Sequence, residues 1–436
     1  MGIPSIPARR TKQVRLNMKV WLTQRAEPTP HDQLEQRRPM RTGLMAEYLS
    51  DHGEDVLWWT GDYDHYGQRQ RGHGNAQIPV SDKFAIRYLD APGYTKTKSL
   101  ARVQYDRKVA SGFEASCRET EPPDIIIASM PSVDLALASV RFGKACGVPV
   151  VVDIRDLHPE VFVEAAPTAI KPWARLATWP MKRKVAELCR DATAIWGNSD
   201  AFVDWGCRMG GRPRGEQDLT LPIAYKPLSV ESEEMANIKE TWAKQGLFLP
   251  QHLHGVFFGT LSKAFDFGPL FQAAKHLNEQ GTRHRFHIFG AGQQQPDISH
   301  WCAALDNCTF HGPVGAAKLQ MAMELSHVGF APYVFSENFA SNMPNKTTEY
   351  LGGGLPVALA FKTGVLADFL NATGSGFCYE TSGELIDALV ALDREPGKLD
   401  AIRDAAKRSF EVNLGYESLS RRMHDKLVAT VASYSR

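Results

Sequence analysis

The chain has 436 residues, of which 43% are hydrophobic and 23% charged, the composition of a folded globular protein and not of a disordered, collagen-like or low-complexity one. Its 50 Lys and Arg are balanced by 49 Asp and Glu, which excludes a global electrostatic footprint for nucleic acid or an anionic membrane. Seven scattered cysteines without a CxxC pair argue against a zinc site or a disulfide framework and fit a reducing compartment.

In chain order, residues 1–17 form a basic tail containing Arg9, Arg10, Lys12 and Arg15. No apolar stretch follows it, so a secretory signal is not expected. No uncharged apolar run reaches the roughly 18 residues of a membrane span, and the expected location is the cytoplasm, or the inner face of the cytoplasmic membrane. Met18 to Leu22 predicts a strand, the spacing of Leu44, Met45, Tyr48 and Leu49 a helix ending at Gly53, and Val56 to Thr60 the next strand. Strand, loop, helix, strand opens a parallel α/β sheet. Residues 61–120 show no clear periodicity. Ile125 to Ser129 and Pro149 to Asp153 predict buried strands flanking a helix over Val133 to Cys146, capped by Gly147.

The polar segment Arg155-Asp156-Leu157-His158-Pro159-Glu160 follows the second of these strands, at the edge where open α/β sheets bind ligands. Residues 171–189 read as a helix kinked at Pro180, in which Trp173, Leu176, Trp179 and Met181 alternate with Lys171, Arg175, Lys182, Arg183 and Lys184. That is the pattern of an interfacial helix; a partner surface or a core-facing helix with snorkelling lysines gives the same pattern. A charged helix over 229–246 leads into a second round of the same grammar. Strands at His254 to Gly259, Phe286 to Phe289, Cys308 to His311, Val328 to Ala331 and Val357 to Ala360 alternate with helices. The fold class is α/β, with two consecutive domains.

Three segments carry a resemblance: DIRDLHPE from Asp153 to Glu160, FFGTLS from Phe257 to Ser262, and PNKTTEYLGGGLP from Pro344 to Pro356. With the order of elements, they resemble the GT-B glycosyltransferases, in particular glycosyltransferase family 4 and its bacterial surface polysaccharide branch, over residues 18–430. The resemblance implies a GT-B architecture of two Rossmann-like domains facing across a cleft. The acceptor domain would span residues 18–228, the nucleotide-sugar donor domain 229–415, and a helix over 416–436 would cross back to the first domain. It also implies retaining, metal-independent hexosyl transfer from a nucleotide-diphosphate sugar to a lipid-linked glycan in surface polysaccharide biosynthesis. The nucleotide sugar is then a co-substrate, with no separate cofactor and no nucleic acid partner. The Trp173 to Lys184 helix would give peripheral membrane contact.

Residue by residue, Lys346 starts a helix just after Pro344, placed with Asn345 to neutralise the leaving diphosphate. Glu349 would accept hydrogen bonds from the ribose. Gly259, Thr260, Ser262 and Lys263 form a loop that lets backbone N–H groups approach a phosphate, and Gly290 and Gly292 border the base or make a plain turn. Arg155 stands where relatives carry histidine and would act electrostatically, while Asp156 would position or deprotonate the acceptor hydroxyl. An Arg155–Asp156 ion pair that only locks the loop is the alternative. His31, Arg41, His158 and Glu160 are acceptor-binding candidates, and His31, Arg38 and Arg41 are candidates to stand in for a Gly-Gly pair against the donor phosphate. The chain departs from the family in lacking a Gly-Gly pair in the loop after the first strand and in carrying Ser341 where a glutamate is usual. These departures keep open a catalytically silent nucleotide-sugar-binding scaffold, and the shared architecture a nucleotide-sugar 2-epimerase. The one DxD triplet, Asp62-Tyr63-Asp64, is expected to be a turn.

Overall fold

A computed structural model describes residues 17–32, 39–96, 99–227 and 230–434; the basic tail before Asn17 and the candidate Arg38 lie outside the described residues. The first domain runs β1 (Lys19–Thr23), α1 (Arg41–Asp51), β2 (Asp55–Gly61), β3 (Tyr63–Asp64), β4 (Arg69–Gln70), β5 (Gln77–Ser81), β6 (Phe84–Leu89) and α2 (Leu100–Ser116). It continues with β7 (Ile125–Ser129), α3 (Val133–Cys146), β8 (Val150–Ile154), α4 (Glu160–Glu164), α5 (Lys171–Asp191), β9 (Ala194–Gly197), α6 (Asp200–Gly210) and β10 (Leu219–Thr220). Its sheet has the order β10-β9-β8-β7-β1-β2-β6-β5, parallel except for β5. β7 and β8 are buried at every position, as expected of strands covered by helices on both faces.

Residues 61–120, without periodicity in the sequence, hold four strands and α2. β5 is largely exposed at the sheet edge and contains Pro79, so it never shows the continuous apolar run of an inner strand. α2 buries Tyr105, Val109, Ala110 and Phe113 among charged neighbours.

The second domain runs α7 (Ser232–Lys244), β11 (Leu253–Phe258), α8 (Gly268–Glu279), β12 (His284–Phe289), α9 (Gln295–Ala303), β13 (Cys308–Gly312), α10 (Ala316–Leu325) and β14 (Val328–Ala331). α11 (Glu337–Ala340), α12 (Asn345–Gly352), β15 (Val357–Leu359), α13 (Val365–Thr373), β16 (Gly376–Cys378), α14 (Ser382–Arg394) and α15 (Pro396–Asn413) complete it. The strand order is β13-β12-β11-β14-β15-β16, all parallel. One face of this sheet carries a row of imidazoles. His287 Nε2 lies 2.9 Å from His254 Nδ1, and His311 Nε2 lies 3.0 Å from His287 Nδ1. His254 Nε2 is 2.9 Å from the Leu249 carbonyl, which only accepts. The proton of His254 therefore sits on Nε2, and the same tautomer follows along the row.

α16 (Tyr416–Tyr434) leaves the second domain and packs Tyr416, Leu419, Met423 and Leu427 among Val20, Leu22, Trp58 and Trp196 of the first. Its His424 Nε2 meets Glu54 Oε1 at 2.8 Å. α5 continues through Pro180 and leaves Trp173, Leu176 and Trp179 exposed, while Met181 packs on the core. Among the described residues no helix is long and apolar enough to cross a membrane.

Candidate active site

In the first sheet β1 is flanked by β7 and β2, and in the second β11 is flanked by β12 and β14; these are the switch points at which parallel sheets open a crevice beyond their carboxyl ends. Loops from both edges line one cavity of 820 Å³, with Gln24 to Pro28 following β1, Arg155 and Asp156 following β8, and Phe258 to Thr260 following β11.

On the first-domain wall, Asp153 is completely buried. It accepts hydrogen bonds from Arg41 Nε at 2.9 Å and Nη2 at 2.8 Å, and from Arg155 Nε at 2.7 Å. Burial pushes its carboxyl up, but the two guanidiniums outweigh this and hold it well below the carboxylate range. Arg155 also pairs with Glu27 and donates to Thr42 Oγ1 at 2.9 Å and Ser129 Oγ at 2.8 Å; Arg41 donates to the Pro222 carbonyl at 3.0 Å. This corrects two expectations. Arg155 forms no ion pair with Asp156, and both Arg155 and Arg41 spend their donors inside the protein, because a buried carboxylate must be compensated. They line the cavity as a clamp on the loops around it.

Asp156 borders the cavity and is mostly buried, and burial pushes its carboxyl up to about 6. Asn338 Nδ2 of α11 reaches it at 3.5 Å, and Asn338 Oδ1 accepts from the Leu157 N–H at 3.1 Å. Two more contacts cross between the domains here: Asn198 Nδ2 to Asn342 Oδ1 at 3.2 Å, and Ser199 Oγ to the Ser341 carbonyl. The serine in place of a glutamate thus contributes its backbone to the domain interface.

On the opposite wall, Pro344 ends an extended approach and starts α12. Lys346 is buried, donates to the Phe258 carbonyl, and holds its ammonium 4.2 Å from the Phe257 ring centroid, a cation–π distance. Gly259 has φ 142°, and a Cβ there would lie 2.3 Å from Lys346 Nζ, so this position needs glycine. Asn345, Lys346, Glu349, Gly259 and Thr260 all face the cavity. Asn345 Oδ1 is buried without a hydrogen-bond partner.

The remaining candidates stand off the cavity lining. Gly290 and Gly292 have φ 135° and 153°, and side chains there would meet the Gly259 carbonyl at 1.9 Å and the Leu261 carbonyl at 2.5 Å; they let the loops after β11 and β12 pack back to back. The Ser262 carbonyl accepts from Gln294 Nε2 at 2.6 Å, and Lys263 is exposed. His31 Nδ1 meets the Tyr88 hydroxyl at 2.9 Å, which holds the ring against β6. His158 packs on Phe162 with ring centroids 4.8 Å apart, and burial, with Arg102 and Arg25 nearby, pushes it down to about 4. Glu160 sits in the first turn of α4. Asp62 accepts from the N–H groups of His73 and Gly74, and Asp64 from those of Tyr66 and Gly67, so both carboxylates of the DxD triplet bind local backbone; the expected turn is not what forms, since Asp62 sits in a bend and Tyr63–Asp64 make up β3. Arg25, His65 and Arg102, which no sequence motif singled out, also line the cavity; the signal for His65 and Arg102 was the concentration of Tyr, His and Arg in residues 61–120, and Arg25 carried none beyond its place in the loop after the first strand.

Nearly the whole chain is similar in structure to solved glycosyltransferases. Sucrose-phosphate synthase from Thermosynechococcus elongatus matches with a TM-score of 0.72 at 12% identity, covering 96% of this chain and 100% of that one. The fold is GT-B. WaaG, a glycosyltransferase involved in lipopolysaccharide biosynthesis, matches this GT-B chain with a TM-score of 0.64 at 14% identity, covering 94% and 99%. HepE from Anabaena in complex with UDP and glucose matches with a TM-score of 0.63 at 14% identity, covering 95% and 100%. Residues 253–394 match the family model of glycosyl transferases group 1, so the matched segment covers the sheet of the second domain and α12. No curated protein sequence matches the chain.

Proposed function

We propose that this GT-B protein is a retaining glycosyltransferase that moves a hexosyl group from a nucleotide-diphosphate sugar to a glycan acceptor. The observation that carries the reading is the first turn of α12, where Asn345, Lys346 and Glu349 face the cavity beside Gly259 and opposite Asp156. A leaving diphosphate gains negative charge, and the Lys346 ammonium, the N-terminal turn of α12 and the Gly259 backbone are the groups that offset it. Glu349 is placed for ribose hydroxyls. Asp156, ionised above a pH of about 6, orients the acceptor hydroxyl. In a same-face displacement the departing diphosphate takes that hydroxyl's proton, so the protein needs no carboxylate nucleophile. HepE solved with UDP and glucose, and the E. coli trehalose-6-phosphate enzyme bound to UDP-2-fluoro glucose, support UDP as the carrier.

The acceptor is a lipid-linked glycan of a surface polysaccharide, a reading supported by the likeness to WaaG and by the exposed Trp173, Leu176 and Trp179 on α5, which with their basic neighbours suit a membrane face. Incubation with UDP-glucose should release UDP without added acceptor, in the presence of excess EDTA, and NMR of a transferred product should show the donor's anomeric configuration kept. No nucleotide release from any of UDP, GDP, dTDP or ADP sugars would leave the silent scaffold standing. Loss of release on chelation, restored by Mn²⁺, would overturn the metal-free mechanism.

A further inference from the structure

Part of the cavity lining on the first-domain side is built by residues that the transfer reaction described above does not use. Arg25 follows β1, Arg102 lies in α2, His65 lies between β3 and β4, and Pro131 and Ser132 begin α3; all five line the cavity. Arg25 Nε and Arg102 Nε lie 2.7 Å and 3.9 Å from the carboxylate of Asp106, so two guanidiniums share one carboxylate. Both are held in place by tyrosines: Arg25 lies over the Tyr105 ring at 5.7 Å and Arg102 over the Tyr94 ring at 5.9 Å. His65 Nδ1 meets the Tyr94 hydroxyl at 2.8 Å. Burial and the two arginines push His65 down, as a positive local potential does.

The α3 N-terminus adds to this potential. Ser132 at its N-cap turns its hydroxyl to Gln24 Oε1 at 3.4 Å and caps none of the helix N–H groups, so the N-terminal end of this 14-residue helix borders the same residues, and Asp134 in its first turn is paired with Lys184. Fixed guanidinium forks beside a helix N-terminus match a phosphate oxyanion in both charge and geometry.

We propose that this corner binds a phosphate ester on the acceptor, and hence that the acceptor is a phosphorylated sugar, free or lipid-borne. The proposal rests on the glycosyltransferase reading for the word acceptor, while the anion site itself does not. The test is calorimetric titration of the full chain saturated with UDP, using inorganic phosphate, glucose 6-phosphate, glucose and farnesyl diphosphate as probes. Inorganic phosphate and glucose 6-phosphate should bind, and glucose should not. Arg102→Gln, at a partly exposed position, and His65→Gln should each weaken phosphate binding about tenfold or more, the loss of one charge-assisted contact, with UDP affinity changed less than about twofold. Tighter binding of farnesyl diphosphate than of glucose 6-phosphate assigns the corner to a lipid-borne acceptor, and the reverse order to a soluble one. Equal binding of glucose and glucose 6-phosphate, or phosphate affinity unchanged in both variants, overturns the proposal. Absence of UDP binding to the wild type overturns the glycosyltransferase reading instead, and the phosphate comparison is then decided without UDP.

Discussion

In the first domain a buried carboxylate, Asp153, is kept ionised by two guanidiniums, whereas in the second domain the buried His254 and His287 and the half-buried His311 and His327 are kept neutral. Burial pushes His254, His311 and His327 down to about 4, and His287 well below the ordinary histidine value. Each row or clamp lies within reach of the cleft loops: Asp153 on β8 two residues before Arg155, and His311 on β13 stacked on Phe289 at 4.1 Å. The two sheets have the same parallel architecture but solve the cost of buried ionisable groups differently, one by pairing opposite charges and the other by removing charge. The first solution binds three chain segments together, since Arg41, Asp153 and Arg155 tie α1 to β8 and its loop. The second leaves the sheet dependent on pH.

The largest expected effect comes from breaking the charge clamp. Asp153→Ala leaves Arg41 and Arg155 without their shared carboxylate in a buried site, and should destabilise the protein by about 3–5 kcal/mol, read as a lower denaturation midpoint in urea. A loss below about 1 kcal/mol would show that water or a rearranged Glu27 replaces the carboxylate, and the contrast between the domains would fall.

Lys346 tests the one buried cation of the α12 turn. Lys346→Ala should lower turnover about a hundredfold, equivalent to about 2.7 kcal/mol of lost transition-state stabilisation, while leaving the fold intact because the site opens onto the cavity. Full activity in the folded variant would remove Lys346 from the site.

Acid separates the two domains more finely. The folded histidines titrate below their unfolded value of 6.5, so the unfolded chain binds more protons as the pH drops from 6.5 towards 4. The stability they contribute is complete above pH 6.5 and is lost on the way down, by about 1.4 kcal/mol per pH unit for each histidine that takes up a proton. Asp153, held below the ordinary carboxylate value of 3.8, keeps its contribution until the pH falls under that value. In the first domain His158, pushed down to about 4, loses stability over the same window, and Asp156 has the opposite sign: raised to about 6, it takes up its proton in the folded state first and so partly offsets that loss. Hydrogen exchange at pH 4.5 should therefore lose protection in β11 to β13 before β7 and β8. Simultaneous loss in both sheets would refute the contrast. Within the row, protonation of His254 at Nδ1 would set two N–H groups against each other, so the first proton enters at the His311 end.

Much of this arrangement is legible in the sequence where local chemistry decides it. Pro344 before Asn345 and the glycines after Leu351 mark the start and stop of α12, and the apolar runs of β7 and β8 mark inner parallel strands. The partner of Arg155 follows a rule of the same kind, since residues two apart in an extended segment point the same way, which selects Asp153 over the adjacent Asp156. Contacts across the chain are not legible in this way. Asn198 and Asn342 are 144 residues apart, and Asn338 and Asp156 are 182 apart; no periodicity within a window of either one encodes the meeting. Arg102 reaches the cavity from a region whose strands are short and partly exposed, so the pattern that would locate it is missing too.

The smallest effect on stability is expected at the far side of the first domain, where α5 shows neither solution. Trp173 and Trp179 are 71% and 54% exposed, with Leu176 and Ile170 alongside, and Arg183 lies over the Trp179 ring at 4.9 Å. Apolar rings already in water contribute little to folding, so replacing both tryptophans by serine should change stability by no more than about 0.5 kcal/mol. The same change at Trp59, wholly buried against Trp21 and Phe113, removes a core ring and should cost about 3–5 kcal/mol. The basic residues Lys171, Arg175, Lys182 and Arg183 around Trp173 and Trp179 match an anionic bilayer, in which tryptophan sits at the headgroup level and lysine and arginine meet lipid phosphates. Wild-type protein should therefore bind phosphatidylglycerol vesicles at low salt and be released as ionic strength rises, and the double serine variant should stay in solution with its fold unchanged. Wild-type protein that ignores such vesicles at low salt would end the membrane assignment and leave α5 as a surface for another protein.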